Sequence, residues 1–502
     1  MGIVPVFTIQ PQVLTGTIVR LEADLSRGLH SFSIVGLAGK AIEEAKDRIN
    51  AALKHSGFDA PKNNNQKIVI SLSPADIKKE GPLFDLPLAI AYLAATDHEF
   101  KPLTKTILAG ELALDGSLRP VNGILTIATV AKAEGFTEII VPQANAAEAA
   151  LVTGITVYGA DNLNEVIDHL SPENNNKLNP CQETAIASGR IETSTKLEDI
   201  KGQESAKRAL EIAAAGRHNI LLVGPPGTGK TMLARAFLNL LPPLTREEAL
   251  TVSAIQSVAG ELREINNVPP LRSPHHTSSY VALVGGGRSP RPGEVTLAHK
   301  GVLFLDELPE FDRRALDALR QPLEDRVISI ARAQGSSVFP ADFILVAALN
   351  PYRGREDGTT DLARALNETY KGKVSGPILD RIDLWVEVKH VPYEKLQNQV
   401  SNPEETGLAK DRVANARHLM SERLSDRGIN TNANMSARDI DEVIVLSNEV
   451  KDLLKLSAGK LNLSPRSYHR LIKVTRTIAD LDNSPEIMTK HLLEALQYRL
   501  PS

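Results

Sequence analysis

At 502 residues, with 42% apolar and 24% charged side chains, the chain has ordinary globular composition and enough length for about three domains. A net charge of −4 excludes a cationic whole that would bind nucleic acid unspecifically, so such binding has to come from locally placed basic residues. The lone Cys181 excludes an internal disulfide or a four-cysteine zinc site, and no apolar run approaches the roughly 18 residues of a membrane span. The opening MGIVPVFTIQPQ lacks the basic start and long apolar core of a signal peptide, so a cytoplasmic protein without a membrane partner is expected.

Residues 1–170 carry strand-like runs, Lys67 to Leu72 and Thr137 to Val141, among helical stretches such as Lys40 to His55 and Leu86 to Ala95. The pattern predicts an α/β domain. Two of its segments, KKEGPLFDLPLAIAYL (78–93) and LAGELALDGSLRPVNGILTIATVAKAEGFTEIIVP (108–142), resemble the proteolytic domain of Lon proteases. That chemistry needs a serine activated by a lysine. The matching positions hold Leu83 and Leu125, while Ser73, Lys78 and Lys79 lie on the wrong side of the motif. A non-proteolytic domain that serves ring assembly or partner contacts is therefore expected. Residues 171–195, rich in Asn, Ser, Thr and Glu and poor in large apolar residues, read as a linker.

From 196 to 390, strand signals at Ile220 to Val223, Val302 to Leu305 and Phe343 to Leu349 alternate with helices, the pattern of a parallel sheet. The first runs into Gly224-Pro225-Pro226-Gly227-Thr228-Gly229-Lys230-Thr231. Glycines let backbone N–H groups turn around phosphates, Lys230 can reach β/γ oxygens, and the Thr231 hydroxyl can ligate Mg²⁺ at a helix N-terminus. ATP and Mg²⁺ are the implied ligands. The run VLFLDE ends in Asp306, suited to hold Mg²⁺ through water, and Glu307, suited to accept a proton from the attacking water or orient it. FILVAALN ends in Asn350, which can bridge the γ-phosphate and the water.

Residues 256–298 hold three consecutive glycines with Arg288 and Arg291 and read as a flexible loop. The pair His275-His276 within it points apart on a strand and has no third ligand spaced nearby, so no structural zinc is expected. Residues 327–345 alternate like a hairpin around Gln-Gly-Ser-Ser. From 391 to 502 the chain turns helical, and Ser464-Pro465 caps and opens a helix that runs toward Asp480.

From about Ile200 onward these parts resemble the AAA+ ATPases. The resemblance makes Asn350 the first sensor, Arg381 within GPILDRIDL an arginine finger reaching a neighbour's γ-phosphate, and Arg466 within LSPRSYHR the second sensor. It also implies a homo-oligomeric ring, a hexamer. The hairpin resembles the pre-sensor hairpin of magnesium-chelatase-like and MCM-like members, with Arg332 near its tip as a contact to DNA phosphate, and the glycine-rich loop reads as a second pore loop. The strings PHHTSSYVALVGGGRSPRPGE, LAHKGVLFLDELPEF and RTIADL resemble the ComM/YifB group of magnesium-chelatase-like AAA+ ATPases nearly end to end. That resemblance implies an ATP-driven motor on branched or duplex DNA, a branch-migration helicase of recombination and natural transformation. The group usually has a cysteine-rich segment after the sensor asparagine; here YRGREDGTTDLARALNETYKGK follows Asn350-Pro351 without a cysteine. Two rival readings are a metal-insertion motor like magnesium chelatase, whose partner's Asp-x-Ser-x-Ser string is absent here, and a protein-remodelling ATPase with a degenerate Lon-like adaptor.

Overall fold

In the computed structural model, which describes residues 4–63, 65–96, 98–189, 195–287, 291–332, 335–350, 374–392, 402–461 and 463–499, the alternation in QKIVISLS does what a half-buried strand requires. Ile68, Ile70 and Leu72 face the core and their neighbours face out. The chain divides into two units, Met1–Ser188 with Arg246–Asn266, and Gly189–Thr245 with Asn267–Ser502.

The first unit contains β1 (Val6–Pro11), β2 (Gly16–Arg27), β3 (Ser31–Val35), β4 (Gln66–Ser73), β5 (Thr106–Leu108), the two-residue pair β6 (Glu111–Leu112) and β7 (Leu118–Arg119), β8 (Glu138–Pro142) and β9 (Thr156–Ala160). Seven of these form one mixed sheet in the order β3-β4-β2-β1-β5-β8-β9, antiparallel at β4-β2-β1 and parallel elsewhere. The helix Lys40–His55 has the expected bounds and buries Ile42, Ala45, Ile49, Ala52 and Leu53. Leu83 and Leu125, at the positions where a protease dyad would stand, are buried core residues.

Two boundaries differ from the sequence expectation. The segment 246–266, expected inside the ATPase core, folds into the first unit, because its helix Arg246–Ala259 buries Ala249, Val252, Ala254 and Ile255 and places Ser257 beside a buried carboxylate. The Ser257 hydroxyl donates to Glu148 and accepts from the Gly123 N–H at 2.9 Å, while Glu148 also accepts from the Leu125 N–H at 2.8 Å and Asn145 Nδ2 at 3.1 Å. The expected linker is held to the first unit as far as Ala187: Pro180 bridges Tyr158, the Cys181 N–H donates to Val157 O at 2.8 Å, the Thr184 N–H to Ala150 O at 3.0 Å and the Ala187 N–H to Ile265 O at 3.2 Å. An edge strand presents unpaired backbone groups, and Pro180 and Cys181 cover part of those of β9. Residues 190–194 lie outside the described residues.

The second unit is built on β10 (Ile220–Val223), β11 (Leu271–Arg272), β14 (Val302–Leu305), β17 (Ile344–Leu349) and β18 (Leu384–Glu387), in the order β11-β14-β17-β10-β18 and parallel throughout. Helices cover both faces of such a sheet, which is why ILLV, VLFL and ILVAAL are unbroken apolar runs. The three glycines are not simply a loop: β12 (Gly285–Gly286) pairs antiparallel with β13 (Arg291–Pro292). The hairpin is β15 (Val327–Arg332) and β16 (Gly335–Pro340). Arg288 and residues 351–373 lie outside the described residues, as does the side chain of Arg332.

The C-terminal helices Glu405–Leu424, Ala437–Val443, Asn448–Lys460, Pro465–Leu481 and Thr489–Gln497 share one apolar core with the sheet. Ser464 accepts from the Ser467 N–H at 3.2 Å, which caps the helix that Pro465 opens. The RTIADL string is architectural. Asp480 is buried and pairs with Arg423 and Arg476, and Asn432 Nδ2 donates to it at 2.9 Å.

Candidate nucleotide site

Three adjacent strands, β14, β17 and β10, end at the same edge of a parallel sheet, and each hands on a polar group there. After β10 the chain turns through Gly224 to Gly229. Gly224 passes so close to Val388 that a Cβ would lie 2.1 Å from its carbonyl oxygen. Gly229, at φ 92°, turns the backbone into the helix Lys230–Leu240. Lys230 begins that helix, and its Nζ folds back to donate to Gly224 O at 2.8 Å and Pro225 O at 2.7 Å. Burial lowers its pKa, against the attraction of Asp306.

Thr231 Oγ1 donates to Asp306 Oδ2 at 3.0 Å, so the two residues chosen for Mg²⁺ are already paired. Among the described residues no three His, Cys, Asp or Glu side chains converge as a metal cage. Mg²⁺ does not need one, since it keeps waters and takes one or two protein ligands with substrate phosphates. The pair therefore fits that ion. Glu307 is exposed at the strand tip in a left-handed backbone conformation, φ 53°, unusual for a side chain with a Cβ. Asn350 directly follows β17, and its Oδ1 is buried without a hydrogen-bond partner among the described residues. An orphan of this kind beside a phosphate loop fits a ligand or an ordered water.

The structure also brings in a residue that sequence reasoning set aside. His275 and His276 do not point apart on a strand; their ring centroids lie 4.1 Å apart with the planes tilted by 34°, and His276 Nδ1 lies 3.4 Å from Glu307 Oε2. The signal was the position of His276 just after β11, the strand beside β14.

Arg381 and Arg466 are elsewhere. Arg381 precedes β18, and its carbonyl accepts from Asn219 Nδ2 at 3.0 Å, just before β10 begins. It thus lies at the edge of the sheet opposite the phosphate loop, about 16 Å away along the five steps of strand rise from Asn219 to Gly224. Arg381 is almost buried and pairs with Glu324, not with Asp380 or Asp383. Arg466 reaches the same carboxylate at 2.9 Å.

Further cations gather around this pair. Arg470 lies 3.5 Å from Asp383, and burial pushes the Lys473 ammonium down to about 8. Burial pushes Asp383 up, yet His218, Arg470 and the Asn219 N–H outweigh it and hold the carboxyl below its usual range. Arg466, Arg470 and Lys473 recur at helical spacing on Pro465–Leu481, a stripe that was legible in the sequence.

Comparison with known proteins places these features. Residues 196–396 match the family described as magnesium chelatase, subunit ChlI; residues 21–145 match subunit ChlI of Mg-chelatase; and residues 403–499 match the ChlI C-terminal family. The chain is 42% identical over 496 residues to the competence protein ComM of Haemophilus influenzae, covering 96% of this chain and 94% of that one. It is 43% identical over 489 residues to the uncharacterized protein YifB of Escherichia coli, with the same coverage. Similarity to the magnesium-chelatase 67 kDa subunit of Chlorobaculum parvum is 31% over 160 residues, 31% of this chain and 23% of that one.

Proposed function

The chain belongs to the ComM/YifB family of magnesium-chelatase-like AAA+ proteins, and from that premise we propose that it is a ring-forming, ATP-hydrolysing motor acting on branched or duplex DNA. One observation carries the ring: Arg381 sits at the opposite edge of the sheet from its own phosphate loop. If it serves hydrolysis at all, it serves a site on another copy. A hexamer is the assembly the family resemblance favours.

In this reading the phosphate-loop N–H groups and Lys230 bind the polyphosphate, and Lys230 exchanges two loop carbonyls for phosphate oxygens. Thr231 and Asp306 would hold Mg²⁺, which supplies neutralising charge to the β and γ oxygens. Glu307 leaves His276 to orient the attacking water and take its proton, and Asn350 Oδ1 accepts a hydrogen bond from that water. Arg381 and Arg466 of a second copy stabilise charge on the transferring group, an effect worth on the order of 10³-fold or more for an arginine finger. The competence protein among the relatives supports DNA as the substrate over tetrapyrrole or unfolded protein.

The test is ATPase rate against protein concentration with a four-way DNA junction, linear duplex, unfolded protein or nothing added. Turnover that rises more than linearly with protein and is stimulated by the junction supports the motor. Stimulation by unfolded protein alone would transfer the assignment to protein remodelling.

A further inference from the structure

We propose that Glu324 is a positioning residue that holds Arg381 and Arg466 together, withdrawn from a neighbouring copy, and that the β15–β16 hairpin governs when it releases them. The inference rests on the composite-site reading above. It begins from a convergence: two arginines that the reading assigns to another copy's nucleotide, 85 residues apart by their numbers 381 and 466, pair with one carboxylate of their own chain.

The withdrawn position is a compromise for Arg381. Its Nη1 donates to Pro377 O and its Nη2 to Glu324, but its Nε is buried without a hydrogen-bond partner among the described residues. A guanidinium presents five donors, and a buried unmet donor is costly. The clamp is open to exchange on its Arg466 side, where the Glu324 side chain is 47% exposed and that of Arg466 38%, while the Arg381 side chain is 11% exposed. An exposed pair such as Glu324–Arg466 is weak, and phosphate oxygens accept a guanidinium fork more strongly than a single carboxylate oxygen does. Burial pushes Glu324 up, and the hydrogen bonds from Arg466 and Arg381 outweigh it, so it stays ionised and committed to both. A polyphosphate delivered by another copy is the ligand that displaces it.

Placement supplies the control. Glu324 lies on the short helix Pro322–Asp325, three residues before β15 begins at Val327. Gln321 straps the start of that helix to the hairpin: its Nε2 donates to Ser329 Oγ at 3.1 Å, and its Oε1 accepts from the Ser329 N–H at 3.1 Å. At the other side of the hairpin the Ala341 N–H donates to Arg326 O at 2.8 Å. A ligand that shifts the hairpin therefore shifts Glu324, and the arginines lose their common anchor.

The experiment compares steady-state ATPase of wild type, Glu324→Gln, Glu324→Asp, Arg381→Ala, the Glu324→Gln/Arg381→Ala double variant and Gln321→Ala, each with and without a four-way DNA junction. Glu324→Gln is expected to raise DNA-free turnover about five-fold, the scale of losing one exposed charged clamp. The rise disappears in the double variant, and Glu324→Asp, which keeps the charge, stays near wild type. Gln321→Ala keeps the low DNA-free rate and loses most of the stimulation. If Arg381→Ala is inactive while Glu324→Gln turns over at or below the wild-type rate, the clamp is overturned and the composite site stands. If Arg381→Ala hydrolyses ATP as wild type does, the composite site itself falls. Full stimulation of Gln321→Ala overturns the hairpin's control.

Discussion

Ser257→Ala probes the insertion that ties residues 246–266 into the first unit. Ser257 is buried, its hydroxyl donates to Glu148, and it accepts from the Gly123 N–H at 2.9 Å. Alanine strips a buried N–H of its acceptor, about 1–3 kcal/mol, and removes a hydrogen bond to a carboxylate, about 1.5–3 kcal/mol. The two losses share one site, so a combined cost of about 3 kcal/mol is expected rather than their full sum. Burial raises the Glu148 pKa, against hydrogen bonds from Ser257, Leu125 and Asn145. A carboxyl that binds its proton more tightly when folded contributes stability fully below its unfolded pKa, about 4.3, and loses it as pH rises through the folded value. Ser257 favours the ionised form, so its removal costs more at pH 8 than at pH 5. The assay is hydrogen exchange in the helices Ile124–Ala133 and Arg246–Ala259 of the full chain, at both pH values. The lone tryptophan, Trp385 on β18, reports the other unit, and its urea transition is expected to move by less than about 0.5 kcal/mol. A loss below about 1 kcal/mol in exchange, a larger loss at pH 5, or an equal fall seen by Trp385 would refute the reasoning.

Three further outcomes are expected. Lys230→Ala abolishes ATP turnover with loss of binding, while Glu307→Gln binds ATP and turns over at least about 100-fold more slowly, as measured by nucleotide binding and phosphate release; equal rates in wild type and Glu307→Gln would remove the base assignment. His276→Ala frees Glu307 from a half-exposed contact worth at most about 1 kcal/mol, so kcat without DNA rises by no more than about five-fold, and a fall instead would make His276 an aid to the glutamate. Asp383→Asn leaves Arg470 without its buried carboxylate and costs about 3–5 kcal/mol by Trp385 fluorescence in urea. Because the folded Asp383 pKa is depressed, its stabilisation is present above the unfolded value, about 3.9, and is lost as pH falls; the variant flattens that acid limb, and an unchanged limb would place the acid sensitivity elsewhere.

Much of the second unit was legible because its signals are local. ILLV, VLFL and ILVAAL are short apolar runs, the last two ending directly at a polar residue, and each proved to be a strand with a functional candidate at its end. The helix Lys40–His55 is equally self-declaring, since its buried residues recur every three or four positions. The strands β1 to β3 escaped notice because in the twelve-residue GTIVRLEADLSR burial alternates only in part, and the strand is fixed by pairing with β1 and β4. The helix Arg246–Ala259 shows an apolar face, but the sequence says only that it must be buried, not in which unit. Glu324 was invisible for the same reason: its meaning lies in two partners, at 381 and 466, that only the fold brings together.

On the composite-site reading, the division of the candidate site follows from the parallel sheet. Strands that all run one way collect every strand-to-helix turn at one edge, which gathers the phosphate loop, Asp306, Glu307 and Asn350 without further design. The same rule strands whatever precedes a strand at the other edge, and Arg381 precedes β18. No side-chain rotation carries it past the strand to its own loop. In the proposed assembly two copies pack head to tail, one sheet edge facing the opposite edge of the next, so that both halves are completed at once; a heterologous contact of that kind closes a ring when its rotation closes. On this reading Glu324 answers a problem the split creates: two cations meant for a partner's phosphates have to be held by some anion while no partner is there, and a carboxylate strapped to the hairpin holds them where a substrate can influence their release.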